Sequence, residues 1–210
     1  ELAYLESTAS GLTSFGDGPY ENYLVPMRPD IDAEAGTWTY QITGASEVKL
    51  TVREDEPSAI GEPSLLVQPY LVSGESYNLE TVWQLVRGLY TNNSLNVTIG
   101  QTINIREEQY RTVSDSFFNA ETQALVTQGR ADAVNIFLVE EVEGGGVLGI
   151  AAGIPGSLGI QGPHNGVLVS LGSHLSGPFF NQSINDQLLA ETIVHEAGHL
   201  LGLWHPTEEN

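Results

Sequence analysis

The chain has 210 residues, enough to bury the core of one ordinary domain but too few for a large multidomain protein. Acidic residues outnumber basic ones by 27 to 7, and the formal net charge of −20 disfavours nucleic acids and anionic membrane surfaces as partners. The absence of cysteine excludes disulfides, thiolate metal sites and cysteine nucleophiles, so any metal chemistry has to use histidine and carboxylate groups.

The first sixty residues are rich in glycine, proline and aspartate turns and contain one clear strand pair, over residues 37–42 and 47–52. The strict alternation of the second strand predicts a hairpin with one buried face. The acidic, proline-bearing stretch that follows is typical of a linker. We therefore predict a small β-rich module and linker over residues 1–62 and a second domain over residues 63–210.

From residue 64 onwards strands alternate with helices. We predict strands over residues 65–72, 95–99, 102–105, 133–139 and 166–171, and helices over residues 78–90, within 114–128 and over 185–201. Pro69 favours an edge strand or the first residue of a strand, because proline has no N–H to donate to a ladder. Asn78 is expected to cap the first helix, with Leu79, Val82, Leu85, Val86 and Leu89 on its buried stripe. The element order predicts the class α/β (α+β), a mixed sheet with helices packed on it.

Residues 195–205, HEAGHLLGLWH, are the segment that carries chemistry. On a helix, His195 and His199 are four residues apart, so their rings lie one turn apart on one face and can bind one metal ion. Glu196 lies about 100° round the helix, where its carboxylate can reach a metal-bound water without being a ligand. Leu188 and Thr192 continue the histidine face, which predicts that this face packs on a core.

Gly202 is predicted to end this helix in a left-handed conformation and to reverse the chain, so that His205 approaches the same ion. Three nitrogen ligands and an open fourth position are typical of a catalytic zinc site. Five fixed positions within eleven residues occur by chance in only about one chain in 10⁴ of this length.

The segment resembles the extended zinc signature of the metzincin metallopeptidases at every defining position. The resemblance implies that His195, His199 and His205 bind Zn²⁺ and that Glu196 is the general base. In the usual mechanism of such sites, Glu196 takes a proton from zinc-bound water as the water attacks a peptide carbonyl, and then delivers it to the leaving amine. The implied activity is that of a secreted zinc-dependent endopeptidase. Pro206 is similar to the serralysin branch, but the branch stays open.

The resemblance also implies a fold for residues 63–210: the metzincin upper subdomain, with a twisted mixed sheet, a backing helix and an active-site helix. An antiparallel edge strand over residues 147–154 would bind a protein or peptide substrate in extended form. Metzincins place a methionine turn below the zinc in a lower subdomain, whereas Met27 is the only methionine here. We expect the lower subdomain to lie outside this chain, either because the chain is a fragment or because a separate C-terminal chain completes the site. This chain alone could then be inactive.

Two other functional interpretations stay open: a non-catalytic zinc-binding or adhesion module, and an autoinhibited proenzyme fragment. Residues 144–149 match the dinucleotide-binding pattern G-x-G-x-x-G, but no helix is predicted after them, which argues against that function. His164 and His174 are predicted to be surface loop residues. Acidic pairs such as Glu54-Asp55 and Glu140-Glu141 make Ca²⁺ a second candidate cofactor.

The composition also bears on localisation. Absence of cysteine together with high acidity is typical of bacterial exported proteins, so we expect a secreted, extracellular and bacterial protein. No apolar run reaches the roughly 18 residues of a membrane span. The first residues lack a basic stretch, so a signal peptide has either been removed or was never present, and we expect the numbering to start inside a longer precursor.

Overall fold

The computed structural model describes residues 64–74, 77–175 and 182–205. Its strands are β1 (Ser64–Val72), β2 (Asn96–Ile99), β3 (Ile103–Ile105), β4 (Thr112–Val113), β5 (Val134–Val139), β6 (Glu141–Val142), β7 (Gly149–Ala151) and β8 (Val167–Ser170). Its helices are α1 (Glu80–Thr91), α2 (Ala120–Val126), α3 (Leu171–Leu175) and α4 (Gln182–Leu200), with one 3₁₀ turn at Glu108–Tyr110. The predicted N-terminal module, Met27, the Glu54-Asp55 pair and Pro206 lie outside the described residues. The boundary at residue 62 therefore stays a prediction.

Six strands form one mixed sheet in the order β2-β1-β5-β8-β7, with β3 also paired to β1. Strands β1, β2, β3, β5 and β8 are parallel, whereas β7 runs antiparallel to β8 at the end of this order. A separate parallel ladder joins β4 to β6. The predicted mixed α/β sheet is confirmed, and an antiparallel edge strand does lie within residues 147–154.

Pro69 lies inside the sheet, so its predicted edge position was wrong. Strand β1 has β5 on one side and β2 and β3 on the other. Alternate residues of a strand direct their backbone groups to the same side, and the Val67 carbonyl accepts a hydrogen bond from Gly100 N–H at 2.8 Å on the side of β2. Pro69 therefore faces the gap between β2 and β3, where no ladder hydrogen bond is lost.

The centre of the sheet is formed by β5 and β8, in which every residue is buried. Apart from Asn135 and Ser170 their residues are apolar, which is typical of parallel strands covered on both faces. The ring of Phe137 stacks on Tyr70 of β1 with 4.5 Å between centroids. These two strands form the centre of the sheet on which the helices pack.

Helix α1 packs against α4. Its cap is Leu79, whose carbonyl accepts the first helical hydrogen bond from Trp83 N–H, so the predicted cap at Asn78 was wrong by one residue. Asn78 precedes the cap, and its side-chain oxygen accepts a hydrogen bond from Glu80 N–H at 3.2 Å. The predicted stripe was wrong at Leu85, which is 36% exposed, whereas Trp83 and Tyr90 are buried. Trp83 lies three residues before Val86 and Tyr90 lies four residues after it, so these three side chains share one helical face. Leu85 lies outside this face and points towards solvent.

The glycine-rich segment forms a turn. Gly144, Gly145 and Gly146 all have positive φ angles, and the next element is strand β7. A dinucleotide-binding motif requires a helix at this point. The structure therefore agrees with the sequence argument against that function.

Candidate metal centre

Helix α4 has one face in the core and an adjacent face at the candidate site. Its buried apolar residues are Leu189, Ala190, Ile193, Ala197 and Leu200, each at most 1% exposed. The prediction that Leu188 lies on the face that packs on the core was wrong, since Leu188 is 38% exposed. The buried face is formed instead by residues one position further along the helix, such as Leu189 and Ile193. His195 is exposed on the adjacent face, whereas His199 is buried.

Helix α4 ends in two hydrogen bonds that reverse the chain. Leu203 N–H donates to the Gly198 carbonyl at 2.9 Å, and Gly202 N–H donates to the His199 carbonyl at 2.8 Å. This is the Schellman arrangement, in which the residue after the helix is left-handed. Gly202 has a φ of 99°, as the sequence predicted. The reversal brings His205 back towards the helix.

The three predicted ligands lie together. The Nε2 atom of His199 is 3.0 Å from that of His195 and 3.1 Å from that of His205, and the Nε2 atoms of His195 and His205 are 3.1 Å apart. Within residues 64–74, 77–175 and 182–205, no other group of three or more histidine or acidic side chains converges in this way. Their role as ligands stays a prediction.

The three nitrogens suit a single zinc ion. Nitrogen ligands about 2.05 Å from a tetrahedral zinc ion lie about 3.3 Å from one another, close to the spacing of the triad. The Nδ1 atom of His199 is 2.7 Å from the Leu203 carbonyl oxygen, so Nδ1 carries the proton and Nε2 keeps its lone pair. Partial desolvation by the surrounding protein, and then the neighbouring His199 and His205, lower the pKa of His195 and favour its neutral form. Three converging imidazole nitrogens are a donor set that zinc binds.

Glu196 lies beside the triad without joining it. Its Oε1 atom is 4.0 Å from the Nε2 atom of His195, and its side chain is only 13% exposed. Burial raises the pKa of the Glu196 carboxyl, and His199, a backbone hydrogen bond from Ala151 and His205 partly offset the rise. A carboxylate with a raised pKa next to a metal site is suited to accepting and releasing a proton.

No protein-family profile matches the chain, and neither does any curated protein. Among solved structures, the chain resembles archaemetzincin from Methanopyrus kandleri, with 16% sequence identity, a TM-score of 0.48, and coverage of 72% of this chain and 80% of that chain. It also resembles archaemetzincin from Archaeoglobus fulgidus in complex with malonate, with 18% identity, a TM-score of 0.42, and coverage of 69% and 82%. Both likenesses are distant, so we infer function from the residues of the site.

His174 is buried, so its predicted surface position was wrong. Its Nδ1 atom is 2.6 Å from the Ser170 carbonyl oxygen, and its Nε2 atom is 2.9 Å from the Thr192 hydroxyl. His174 thus joins the end of β8 to the middle of α4, one turn before Glu196. Sequence reasoning missed this link, because nothing in the local sequence around a lone histidine shows which helix will cover it.

His164 is also buried, at 7% exposure, and its predicted surface position was likewise wrong. Its ring lies 5.6 Å from that of Phe118. Burial lowers the pKa of His164 to about 4. It belongs to the packing of the loop before β8 and not to the triad.

The Glu140-Glu141 pair gives no support to a Ca²⁺ site. The Oε1 atom of Glu140 accepts hydrogen bonds from the Ser73 hydroxyl at 2.9 Å and from Gly74 N–H at 3.1 Å. Arg111 lies 3.8 Å from the same oxygen. Through these contacts the Glu140 side chain links the end of β1 to the end of β5.

None of the helices in the described part of the chain combines the length and the apolar character that crossing a bilayer requires.

Proposed function

We propose that this protein is a zinc-dependent endopeptidase of the metzincin type. The observation that carries the proposal is the convergence of His195, His199 and His205 through their Nε2 atoms, with the carboxylate of Glu196 close by and outside the ligand set. A structural zinc site uses four protein ligands, whereas three leave a position for water or substrate.

Each side chain of the site has one task in this proposal. The three histidines would hold the ion through Nε2, and the Leu203 carbonyl fixes the tautomer of His199. A zinc ion held there would supply the chemistry of such sites, lowering the pKa of a bound water molecule to about 7 and polarising a carbonyl oxygen. The carboxylate of Glu196 accepts the proton of the attacking water and transfers it to the leaving amine.

We also propose that the substrate is a protein or peptide bound in extended form along β7, since an edge strand offers backbone groups for pairing with another chain. The proposal includes secretion and a second polypeptide that supplies the floor of the site. Intact-mass analysis of the protein purified from its native source tests for such a polypeptide.

Zinc analysis and a peptide-library digest of the same preparation test the central proposal. We expect one zinc per chain and cleavage of internal peptide bonds that a chelator stops. Stoichiometric zinc without cleavage, in a preparation that contains any second polypeptide, would favour the non-catalytic binding module instead.

A further inference from the structure

Strand β7 passes so close to helix α4 that no side chain fits between them at Gly149. A Cβ atom added there would lie 2.9 Å from Cγ of Glu196 and 3.0 Å from Cγ2 of Thr192. It would also lie 3.2 Å from the Leu168 carbonyl oxygen, which is backbone and cannot turn away. The side chain of Glu196 therefore occupies the space that a residue other than glycine would fill.

Space, and not backbone conformation, accounts for glycine at position 149. Gly149 is not among the described glycines with positive φ, so any residue could adopt its backbone angles. Glycine weakens a strand, and inside one it commonly marks the close approach of another group. Here that group is the side chain of the proposed general base.

Ala151 lies on the same side of β7 as Gly149. The Leu148 carbonyl accepts from Ser170 N–H, and Ala152 N–H donates to the Gly166 carbonyl, so these residues face β8. Because backbone groups alternate along a strand, Gly149 and Ala151 face away from β8. The N–H of Ala151 is thereby outside the ladder with β8, and it lies close enough to the Glu196 carboxylate to lower the pKa of that group.

We propose that Gly149 and Ala151 form a seat for Glu196: the missing side chain at position 149 admits its methylene groups, and the Ala151 N–H orients its carboxylate beside the metal ligands. Gly149 and Ala151 are positioning residues that act through Glu196. The inference rests on the proposed function, since the seat matters for catalysis only if Glu196 moves the proton. A misplacement of about 1 Å in such a group lowers the rate about 100-fold.

The Gly149→Ala variant tests the seat, with Gly162→Ala as its matched control. A Cβ atom at Gly162 would meet nothing within 4 Å, and its φ is not positive. We expect Gly149→Ala to lower kcat about 10- to 100-fold while KM and zinc affinity stay within about twofold. In crystals of the variant, the Glu196 carboxylate should be displaced from its position beside Ala151. The control should match the wild type in every measurement.

Two further variants separate positioning from packing. Thr192→Ser removes Cγ2, one of the atoms that a new Cβ would crowd, so it restores activity to Gly149→Ala only if the damage lies in the packing of α4 on β7. We expect no such rescue. Ala151→Pro removes the N–H that orients Glu196, and it should lower kcat without raising KM, even if Gly149→Ala does not fold. A rise in KM with unchanged kcat would show instead that this N–H pairs with the substrate.

The two proposals fail in different ways. Wild-type protein that binds zinc but cleaves no peptide, in a preparation that contains any second polypeptide, would overturn the proposed function. Active protein that depends on Glu196, but keeps wild-type kcat after Gly149→Ala or Ala151→Pro, would overturn the seat alone. Rescue by Thr192→Ser, or a fall in zinc affinity that parallels kcat, would also overturn it.

Discussion

The Nδ1 atom of His199 lies 2.7 Å from the carbonyl oxygen of Leu203, two residues before the third histidine. The carbonyl reaches this position because Gly202 turns the chain back at the end of α4. Gly202, in its left-handed conformation, therefore orients the ring of His199 through the Leu203 carbonyl and also brings His205 beside the other two histidines.

Replacement of Gly202 by alanine should weaken zinc binding about 10-fold, because a non-glycine residue at this φ shifts the Leu203 carbonyl and His205 together. The free energy of unfolding should fall by about 1 kcal/mol. Isothermal titration with zinc and chemical denaturation measure the two effects. The matched control is Gly198→Ala in the last turns of the same helix, where the new Cβ would make an ordinary 3.5 Å contact with Leu203. That variant should keep zinc affinity and gain up to about 1 kcal/mol.

The Glu196→Ala variant should lose peptide hydrolysis by a factor of about 10² to 10⁴ and keep its zinc, because the side chain moves a proton and is not a ligand. Activity and metal content are measured on the same preparation. His205→Ala is the comparison variant, which should lose zinc and activity together. Cleavage at the wild-type rate by Glu196→Ala would contradict the role of general base.

Zinc should stabilise the folded protein, because the three Nε2 atoms converge only in the native chain. At a free zinc concentration about 100 times its Kd, the free energy of unfolding should rise by about 2.7 kcal/mol. Thermal unfolding with and without a chelator measures this difference. His199→Ala should abolish the zinc-dependent rise in Tm, whereas His164→Gln should retain it.

His164 should make the stability of the protein depend on pH. Its folded pKa of about 4 lies below the ordinary histidine value of about 6.5, so the folded state binds fewer protons between these values. The contribution of His164 is therefore complete above pH 6.5 and is lost as the pH falls towards 4, by about 3 kcal/mol.

Denaturation of metal-free protein at pH 7, 5.5 and 4 measures this effect as the difference between wild type and His164→Gln. The glutamine variant should lack this part of the acid sensitivity. Parallel stability curves for the two proteins would show that burial does not depress the pKa of His164.

The link between His174 and Thr192 should stabilise the packing of α4 on the end of β8. His174→Phe should lower the free energy of unfolding by about 1–3 kcal/mol, since it leaves the buried Ser170 carbonyl without this donor. A double-mutant cycle with Thr192→Val should give a coupling energy of about 1 kcal/mol. Ser173→Ala, on the exposed side of α3, is the control and should change stability by less than about 0.5 kcal/mol. Strict additivity of His174→Phe and Thr192→Val would show that the 2.9 Å contact carries no energy.

Much of this protein followed from the sequence alone. The spacing from His195 to His205 predicts the triad because a helical turn and a glycine reversal are local geometry, complete within eleven residues. The apolar runs of β5 and β8 predict central strands because strands covered on both faces need apolar side chains on both.

Contacts between distant segments were decided by the tertiary structure. The burial of His164 and His174, the interior position of Pro69 and the meeting of Gly149 with Glu196 all depend on which strands pair and which helix covers them. Such pairings join residues that are tens of positions apart in the sequence, so the local pattern of residue types does not predict them. The chain's own chemistry therefore determined which side chains can hold a metal ion, and the packing of β7 against α4 decided where the carboxylate beside them is held.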